Sequence, residues 1–259
     1  VKKITLQKQI SDAIASTSGV RQFAVFDFDN TCIVNDIAEA TLNHMARFAL
    51  FRDRTILPGA ESLAKEELAK NIFDHYYGLL ENNNVLGAYE FGAKTLGGFK
   101  ISEIGALIAT VIKEESEAIG KTELYGKKIS KGLTARPAVI RLIEDLQKQG
   151  IKIWVISASP YLLVAEAMKH FGISAELIGI RHKIIDGVIM HELEYPLSVM
   201  SGKVDCIKLF IDSTVHPLLG AGDSMNDCPM LEYSNLKIVV NRGNSLSQRA
   251  QAEGWILIN

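Results

Sequence analysis

Residues 23–31 read Phe23-Ala24-Val25-Phe26-Asp27-Phe28-Asp29-Asn30-Thr31. A short apolar, β-rich run stops at two carboxylates one residue apart, followed by a hydroxyl. Ionised carboxylates are costly to desolvate unless paired or metal-bound, so a buried strand does not ordinarily finish in two acids. At the carboxyl end of a central strand such a pair has a use. It can hold a divalent cation, with one carboxylate acting as nucleophile while its neighbour handles protons. Asp-x-Asp also occurs in surface turns, so the reading depends on the rest of the chain.

Downstream of the acids the pattern turns helical. From residue 36 to residue 133 apolar positions recur at helical spacing, through Ala38, Leu42, Met45 and Ala46, then 63–80, then 104–119. No strand pattern interrupts it, which predicts an all-helical insert. Upstream, residues 4–18 form a short amphipathic helical pattern. After the insert, Pro137 opens and Gly150 closes a helix over 136–149. A buried strand follows over 151–156, then a helix over 161–171 ending at Gly172. Apolar runs 178–185 and 188–193 flank Asp186-Gly187, a hairpin signal. A helix over 203–211, an apolar run 216–221, and strands over 236–240 and 255–258 complete the chain. Strands alternating with helices predict an α/β fold with a parallel sheet covered on both faces. The expected division is a core of residues 1–35 and 134–259, interrupted by a helical domain over 36–133.

The 259 residues are 47% apolar and 22% charged, with a formal net charge of −2, an ordinary globular composition. No basic run exists to follow a phosphate backbone, which argues against nucleic acid as partner. No apolar stretch approaches ~18 residues, which argues against a membrane span. Cys32, Cys206 and Cys228 form neither a disulfide framework nor a paired metal motif and read as small buried hydrophobes. Their number favours a reducing, cytoplasmic compartment. The start at Val1 leaves open a removed export signal and a periplasmic location.

Three further sites fall where strands end or helices begin. Ser157-Ala158-Ser159 lies just past a buried strand, Lys203 follows Gly202 at a helix start, and Gly222-Asp223-Ser224-Met225-Asn226-Asp227 closes another strand. Ligands of open α/β sheets bind outside the carboxyl ends of the strands, so all four sites can meet in one crevice. Carboxylates with a backbone carbonyl suit Mg²⁺, which prefers oxygen ligands, and no His/Cys set competes for zinc. Ser157 and Lys203 supply a hydroxyl, a helix start and a positive charge for a phosphoryl group. Asp27 could attack phosphorus. The cation would offset repulsion between that carboxylate and the phosphoryl dianion, each unit pair at ~4 Å being worth on the order of 4 kcal/mol at an effective dielectric near 20. Taken singly, Ser157 reads as a capping hydroxyl, Lys203 as a surface charge, and Asp223 and Asp227 as helix caps.

Together these motifs resemble those of the haloacid dehalogenase (HAD) superfamily of phosphatases: Asp27-Phe-Asp29-Asn-Thr31, then Ser157, then Lys203, then Gly222-Asp223-Ser-Met-Asn226-Asp227. The resemblance implies a three-layer sandwich with a Rossmann-like sheet, and a mobile cap formed by the insert. It implies Asp27 as nucleophile and Asp29 as the acid and base. Thr31, Ser157, Ala158, Lys203 and Asn226 would then surround the phosphoryl group. Mg²⁺ would bind to Asp27, the Asp29 carbonyl and Asp223, supported by Asp227. Dehalogenases lack the second acid, and the Asp-Lys-Thr-Gly-Thr of P-type ATPases is absent.

The helical insert and Val-Ile-Ser157-Ala-Ser-Pro resemble phosphoserine phosphatase-like members. Asp-Asn-Thr31, Ser-Ala-Ser159, Ile-Gly-Ile-Arg181 and Gly-Lys203 resemble phosphorylcholine phosphatases. The resemblance therefore implies a small-molecule phosphate ester as substrate. Asp36 stands where phosphoserine phosphatases carry a substrate-binding Glu, but a cap Arg for the substrate carboxylate has no counterpart. Phe73, Tyr76, Tyr77, Tyr89, Phe91 and Phe99 could cage a quaternary ammonium or pack helix against helix. Asp36, Tyr76, Tyr77 and Arg181 are the expected specificity residues. Two alternatives stay open: a non-catalytic module that binds a phosphorylated ligand, and a phosphotransferase or phosphomutase of the same fold. The sequence leaves the oligomeric state undetermined.

Overall fold

The structure is a computed structural model that describes residues 2–16, 22–116 and 118–259. In chain order the first elements are α1 (Lys2–Ser16), β1 (Phe23–Phe26), β2 (Ile33–Val34), α2 (Ile37–Arg47), α3 (Lys65–Glu81), α4 (Val85–Lys94), α5 (Ile101–Glu114), β3 (Gly120–Leu124), β4 (Lys127–Lys131) and β5 (Thr134–Ala135). There follow α6 (Pro137–Lys148), β6 (Lys152–Pro160), α7 (Tyr161–Phe171), β7 (Glu176–Ile185), β8 (Val188–Glu194), α8 (Ser201–Phe210), β9 (Leu219–Gly222), α9 (Cys228–Tyr233), β10 (Leu236–Val240), α10 (Ser245–Glu253) and β11 (Ile256–Ile258). The helix expected over 4–18 is α1, and positions 17 and 18 lie outside the described residues.

A seven-stranded sheet runs β11-β10-β9-β1-β6-β7-β8. Its neighbours are parallel apart from the β7–β8 hairpin. Successive residues of β1 point to opposite faces, and this divides the core. Ala24 and Phe26 pack with Val139 and Ile143 of α6 and Leu163 and Val164 of α7. Phe23 and Val25 pack with Ile207 of α8 and Met230 of α9. The result is the three-layer α/β arrangement expected. Because β1 is flanked by β6 on one side and β9 on the other, the chain reverses its winding at β1. That reversal opens a crevice at the carboxyl ends of these strands.

The insert leaves and rejoins the core through two short strands, with Ile33 opposite Ala135 and Val34 opposite Thr134. It is not all-helical, which corrects the sequence expectation. Residues 120–131 form an antiparallel hairpin, β3–β4. Tyr125 (φ 48°) and Gly126 (φ 79°) make its turn with two positive φ angles, the geometry that suits a two-residue hairpin. Of its strands only Ile129 is buried, so the alternation that marks a half-buried strand is faint. The Asp186-Gly187 turn has the same geometry (φ 50° and 75°) and joins β7 to β8 as expected. The tip of that hairpin meets the insert. Gly98 donates to the Ile189 carbonyl at 2.8 Å, Ile189 to Phe99 at 2.8 Å, and Ile101 to Gly187 at 2.9 Å.

All three cysteines are buried and unbridged. No helix among the described residues is long and apolar enough to cross a membrane.

Phe28, between the two acids, has no exposed surface and belongs to the main core cluster. It anchors the segment that carries both carboxylates. Phe28→Ala is expected to lower folding stability by about 3–5 kcal/mol, measured as the shift of the urea unfolding midpoint.

Candidate active site

Phe26 pairs with Val155 on one side and Ala221 on the other. The residues that follow each strand therefore emerge at one edge of the sheet. Asp27 continues β1, its N–H bonded to the Ala221 carbonyl at 2.9 Å. Ser157 and Ser159 lie in the last part of β6, and Asp223 follows β9. The glycines of β9 allow close approach. A Cβ at Gly222 would sit 2.5 Å from the Asp227 Cβ, and one at Gly220 2.5 Å from the Ser234 Oγ.

Asp27 is 5% exposed, and its Oδ1 takes a 2.6 Å hydrogen bond from the Lys203 ammonium. The same ammonium is 2.6 Å from Asp227 Oδ1 and has no exposed surface. Burial opposes its charge, but Asp227 and Asp27 overcome this and hold Lys203 above the usual lysine range. Burial, reinforced by Asp227, pushes Asp27 well above the carboxylate range, and Lys203 opposes that push.

Asp29 is held separately. Its Oδ2 accepts from Ser157 Oγ at 3.1 Å and Ser159 Oγ at 2.7 Å, and its Oδ1 from the Ile37 N–H at 2.7 Å. Ile37 is the first residue of α2, so the insert itself grips this acid. Burial raises Asp29 well above the carboxylate range, with Asp36 and Asp27 adding to the shift.

Oxygens of Asp27, Asp223 and Asp227 lie within 4.8 Å of one another, all three residues buried. Asp227, expected behind a metal, joins this cluster with both oxygens already engaged. Oδ1 holds Lys203, and Oδ2 accepts the N–H groups of Asp223 and Ser224 at 3.0 and 3.1 Å. Oxygen-only, acidic and buried, the cluster matches what a hard divalent cation requires.

A cavity of about 70 Å³ opens on this cluster, lined by Asp27, Asp29, Asn30, Asp36, Tyr89, Ala158, Ser159, Asp223, Ser224, Asn226 and Arg242. Thr31, Ser157 and Lys203 stand behind these walls. Thr31 Oγ1 lies 3.5 Å from Asp223 Oδ1. Asn226 lines the cavity and also accepts the Met200 N–H at 2.7 Å, fixing the turn (Met200 φ 51°) that begins α8.

Of the four expected specificity residues, Asp36 alone reaches this cavity, where it also caps α2 by accepting the Glu39 N–H at 2.9 Å. Tyr76 is 5% exposed and packs inside the insert as part of the main hydrophobic core. The Tyr77 hydroxyl is spent on Glu39 at 2.8 Å and Asn43 at 3.1 Å. Adjacent helix positions face different directions, and the main-core contacts of α3 claim both rings. Tyr89 of α4 supplies the cavity's aromatic wall instead. Arg181 lies elsewhere, over the rings of Tyr161 and Phe210 and beside a separate cavity. As a β7 residue opposite Glu194 of β8, it belongs to the far side of the sheet's order.

Arg242 and Asn244 were not singled out from the sequence, and Ser159 was named there only as part of its motif. Ser159 was legible, since positions i and i+2 of a strand share a face with Ser157. Arg242 and Asn244 follow β10, whose sequence carries no motif.

Two neighbouring buried carboxylates, and a lysine held between acids, stand at the carboxyl end of a mostly parallel α/β sheet. The family model described as haloacid dehalogenase-like hydrolase matches residues 24–232, and the chain belongs to that family. A phosphorylcholine phosphatase of Pseudomonas aeruginosa is 26% identical, over 84% of this chain and 72% of that protein. A phosphoserine phosphatase of Mycobacterium tuberculosis is 23% identical, over 90% and 68%. A substrate-bound phosphoserine phosphatase structure superposes with a TM-score of 0.55 at 17% identity, covering 93% of this chain and 94% of that one. The chain is thus an enzyme of the hydrolase class that groups with phosphatases.

Asp223 and Asp36 are each raised from 3.8 to about 6, chiefly by burial, with Asp227 and Glu39 respectively adding to the effect. Between those values the folded chain keeps protons that the unfolded chain has lost. Their contribution to stability is therefore full below the unfolded value and lost as pH rises through about 6. In EDTA the melting temperature is expected to be higher at pH 5 than at pH 7, and Asp223→Asn to shrink that difference. Scanning calorimetry at the two pH values measures both.

Proposed function

We infer that this hydrolase is a Mg²⁺-dependent phosphomonoesterase that passes the phosphoryl group of a small ester to Asp27 and then to water. The observation that carries this reading is the pair of carboxylates on one cavity wall: Asp27 fixed through one oxygen by Lys203, and Asp29 buried and held by three donors.

Lys203 engages Asp27 Oδ1, so Oδ2 is the oxygen that attacks phosphorus. The P–O bond to the substrate alcohol breaks, and protonated Asp29 gives the leaving oxygen its proton. Burial that raises Asp29 favours the protonated form this step needs. A water then attacks the phosphorus of the aspartyl-phosphate, Asp29 takes the water's proton, and the bond to Asp27 breaks to release phosphate. The three donors on Asp29 keep it in place through both halves. Asn226 and Ala158 border the phosphoryl position, with Lys203 bracing Asp27, Thr31 beside Asp223 and Ser157 bracing Asp29. Mg²⁺ would be held by Asp27, Asp223 and the Asp29 carbonyl, with Asp227 behind, and would offset the charge between Asp27 and the phosphoryl dianion. Residues 36–133 serve as the cap that excludes water.

The leaving group is read as cationic. Asp36 and Tyr89 line the cavity on the cap side, and Glu39, next to Asp36, is a second carboxylate that burial holds above its usual range. A positive group entering here would offset both acids and meet an aromatic face. Phosphorylcholine and phosphoserine both carry such a group, in keeping with the relatives.

The test is phosphate release from phosphorylcholine, phosphoserine, phosphoethanolamine, sugar phosphates and p-nitrophenyl phosphate, with Mg²⁺ or EDTA. Asp27→Asn is expected to lower kcat on the order of 10⁴-fold or more, and EDTA to abolish turnover. Activity surviving both would overturn the mechanism. Asp36→Asn is expected to raise KM for the cationic esters about tenfold, equivalent to about 1.4 kcal/mol, while sparing p-nitrophenyl phosphate. An equal effect on all esters would remove the leaving-group assignment.

A further inference from the structure

Asp223 is held on every side. Its Oδ2 accepts from the Arg242 guanidinium at 2.5 Å, its carbonyl from Asn244 Nδ2 at 2.8 Å, and its N–H donates to Asp227 Oδ2 at 3.0 Å. Oδ1 faces the Thr31 hydroxyl at 3.5 Å. Two of these partners come from the loop 241–244 between β10 and α10, outside the motifs that mark the family.

That loop is itself fixed. Asn241 donates its N–H to the Ile258 carbonyl at 2.8 Å, and Arg242 its N–H to Ser247 Oγ at 3.0 Å. Asn244 caps α10 by accepting the Ser247 N–H at 3.0 Å. Gly243 takes the left-handed turn (φ 69°) that lets the chain enter the helix. Arg242 therefore reaches the cavity from an anchored base. Its side chain is 39% exposed but that of Asp223 only 5%, so this is not a pair between two solvated surface groups, which would be worth little.

We propose that Arg242 is a positioning residue for the metal site: it occupies Asp223 Oδ2, so that the carboxylate offers a divalent cation one oxygen and not two. This rests on the reading of the acidic cluster as a Mg²⁺ site. Mg²⁺ demands near-octahedral geometry, whereas Ca²⁺ accepts six to eight oxygens and bidentate carboxylates. A clamp on one oxygen therefore favours the smaller ion. Partners that hold ligating groups from behind are worth about 10–100-fold in metal affinity. The positive charge of Arg242 acts in the opposite sense, repelling a nearby cation, so the two effects predict opposite outcomes when it is removed.

The experiment is calorimetric titration of Mg²⁺, and separately Ca²⁺, into the metal-free chain without substrate, for the wild type, Arg242→Ala and Arg242→Lys. Arg242→Ala is expected to weaken Mg²⁺ binding about tenfold or more and Ca²⁺ binding less, so the Mg²⁺/Ca²⁺ affinity ratio falls. Arg242→Lys, which keeps the charge without the planar fork, is expected to lie between. Melting in EDTA identifies any variant that has lost its fold, and in that event Arg242→Gln replaces it. Equal weakening for both ions would mark a merely structural role and overturn the proposal. Unchanged or tighter Mg²⁺ binding would overturn it in favour of simple repulsion. Failure of the wild type to bind either ion would overturn the metal reading and this role with it.

Discussion

The ammonium of Lys203 lies between Asp27 and Asp227, 2.6 Å from each and sealed from solvent. One strand end and the starts of two helices supply this contact. Asp27 comes from the end of β1, Asp227 from the turn before α9, and Lys203 from the first turn of α8. Removing one member of a buried pair strands the other's charge, at a cost of about 3–5 kcal/mol, so these elements must dock together or not at all. The approach of α8 depends on Gly202, where a Cβ would lie 2.0 Å from the Leu197 carbonyl oxygen. Asn226 pins the adjoining Met200 turn, tying Lys203 and the acidic segment into one unit.

The same contact explains the distribution of charge. Five acids, Asp27, Asp29, Asp36, Asp223 and Asp227, stand within one small region, with Lys203 and Arg242 as counter-charges. Each acid is managed differently. Asp227 is saturated by donors, Asp29 is suspended between hydroxyls and the start of α2, and Asp223 is tethered from the loop after β10. Asp27 has one oxygen on Lys203 and Asp223 one on Arg242, and each keeps its other oxygen outside so tight a cradle. Chemical roles are thus separated by hydrogen bonding among residues of a single type.

Much of this was legible in the sequence. The apolar runs ending in Asp27 and Asp223 gave strand ends, because a buried strand ending in polar residues needs a reason for them, whereas the strand expected to stop before Ser157 continues as β6 to Pro160. Asp186-Gly187 gave the hairpin, because few residues accept its backbone angles. What escaped notice depends on long-range placement. Arg242 is one arginine after an unremarkable strand, and only the adjacency of β10 to β9 brings it to Asp223. Tyr76 and Tyr77 looked equivalent to Tyr89 by type, yet helix packing decides which ring meets the cavity. The β3–β4 hairpin was missed because a strand pair with one buried side chain leaves almost no hydrophobic period.

The bonds between the insert and the β7–β8 hairpin bear on how the site admits a ligand. An insert attached only at its neck moves as a rigid flap on a hinge. Here the far side is stitched by backbone hydrogen bonds, from Gly98 and Ile101 to the β7–β8 hairpin and from Ile189 of β8 back to Phe99. Any opening that preserves those bonds has to carry the hairpin tip along. The insert and the hairpin tip then form one unit made from two distant stretches of chain. Ile37, whose N–H holds Asp29 at 2.7 Å, opens that same insert, so the seat of this acid and the bonds to the hairpin belong to one continuous body.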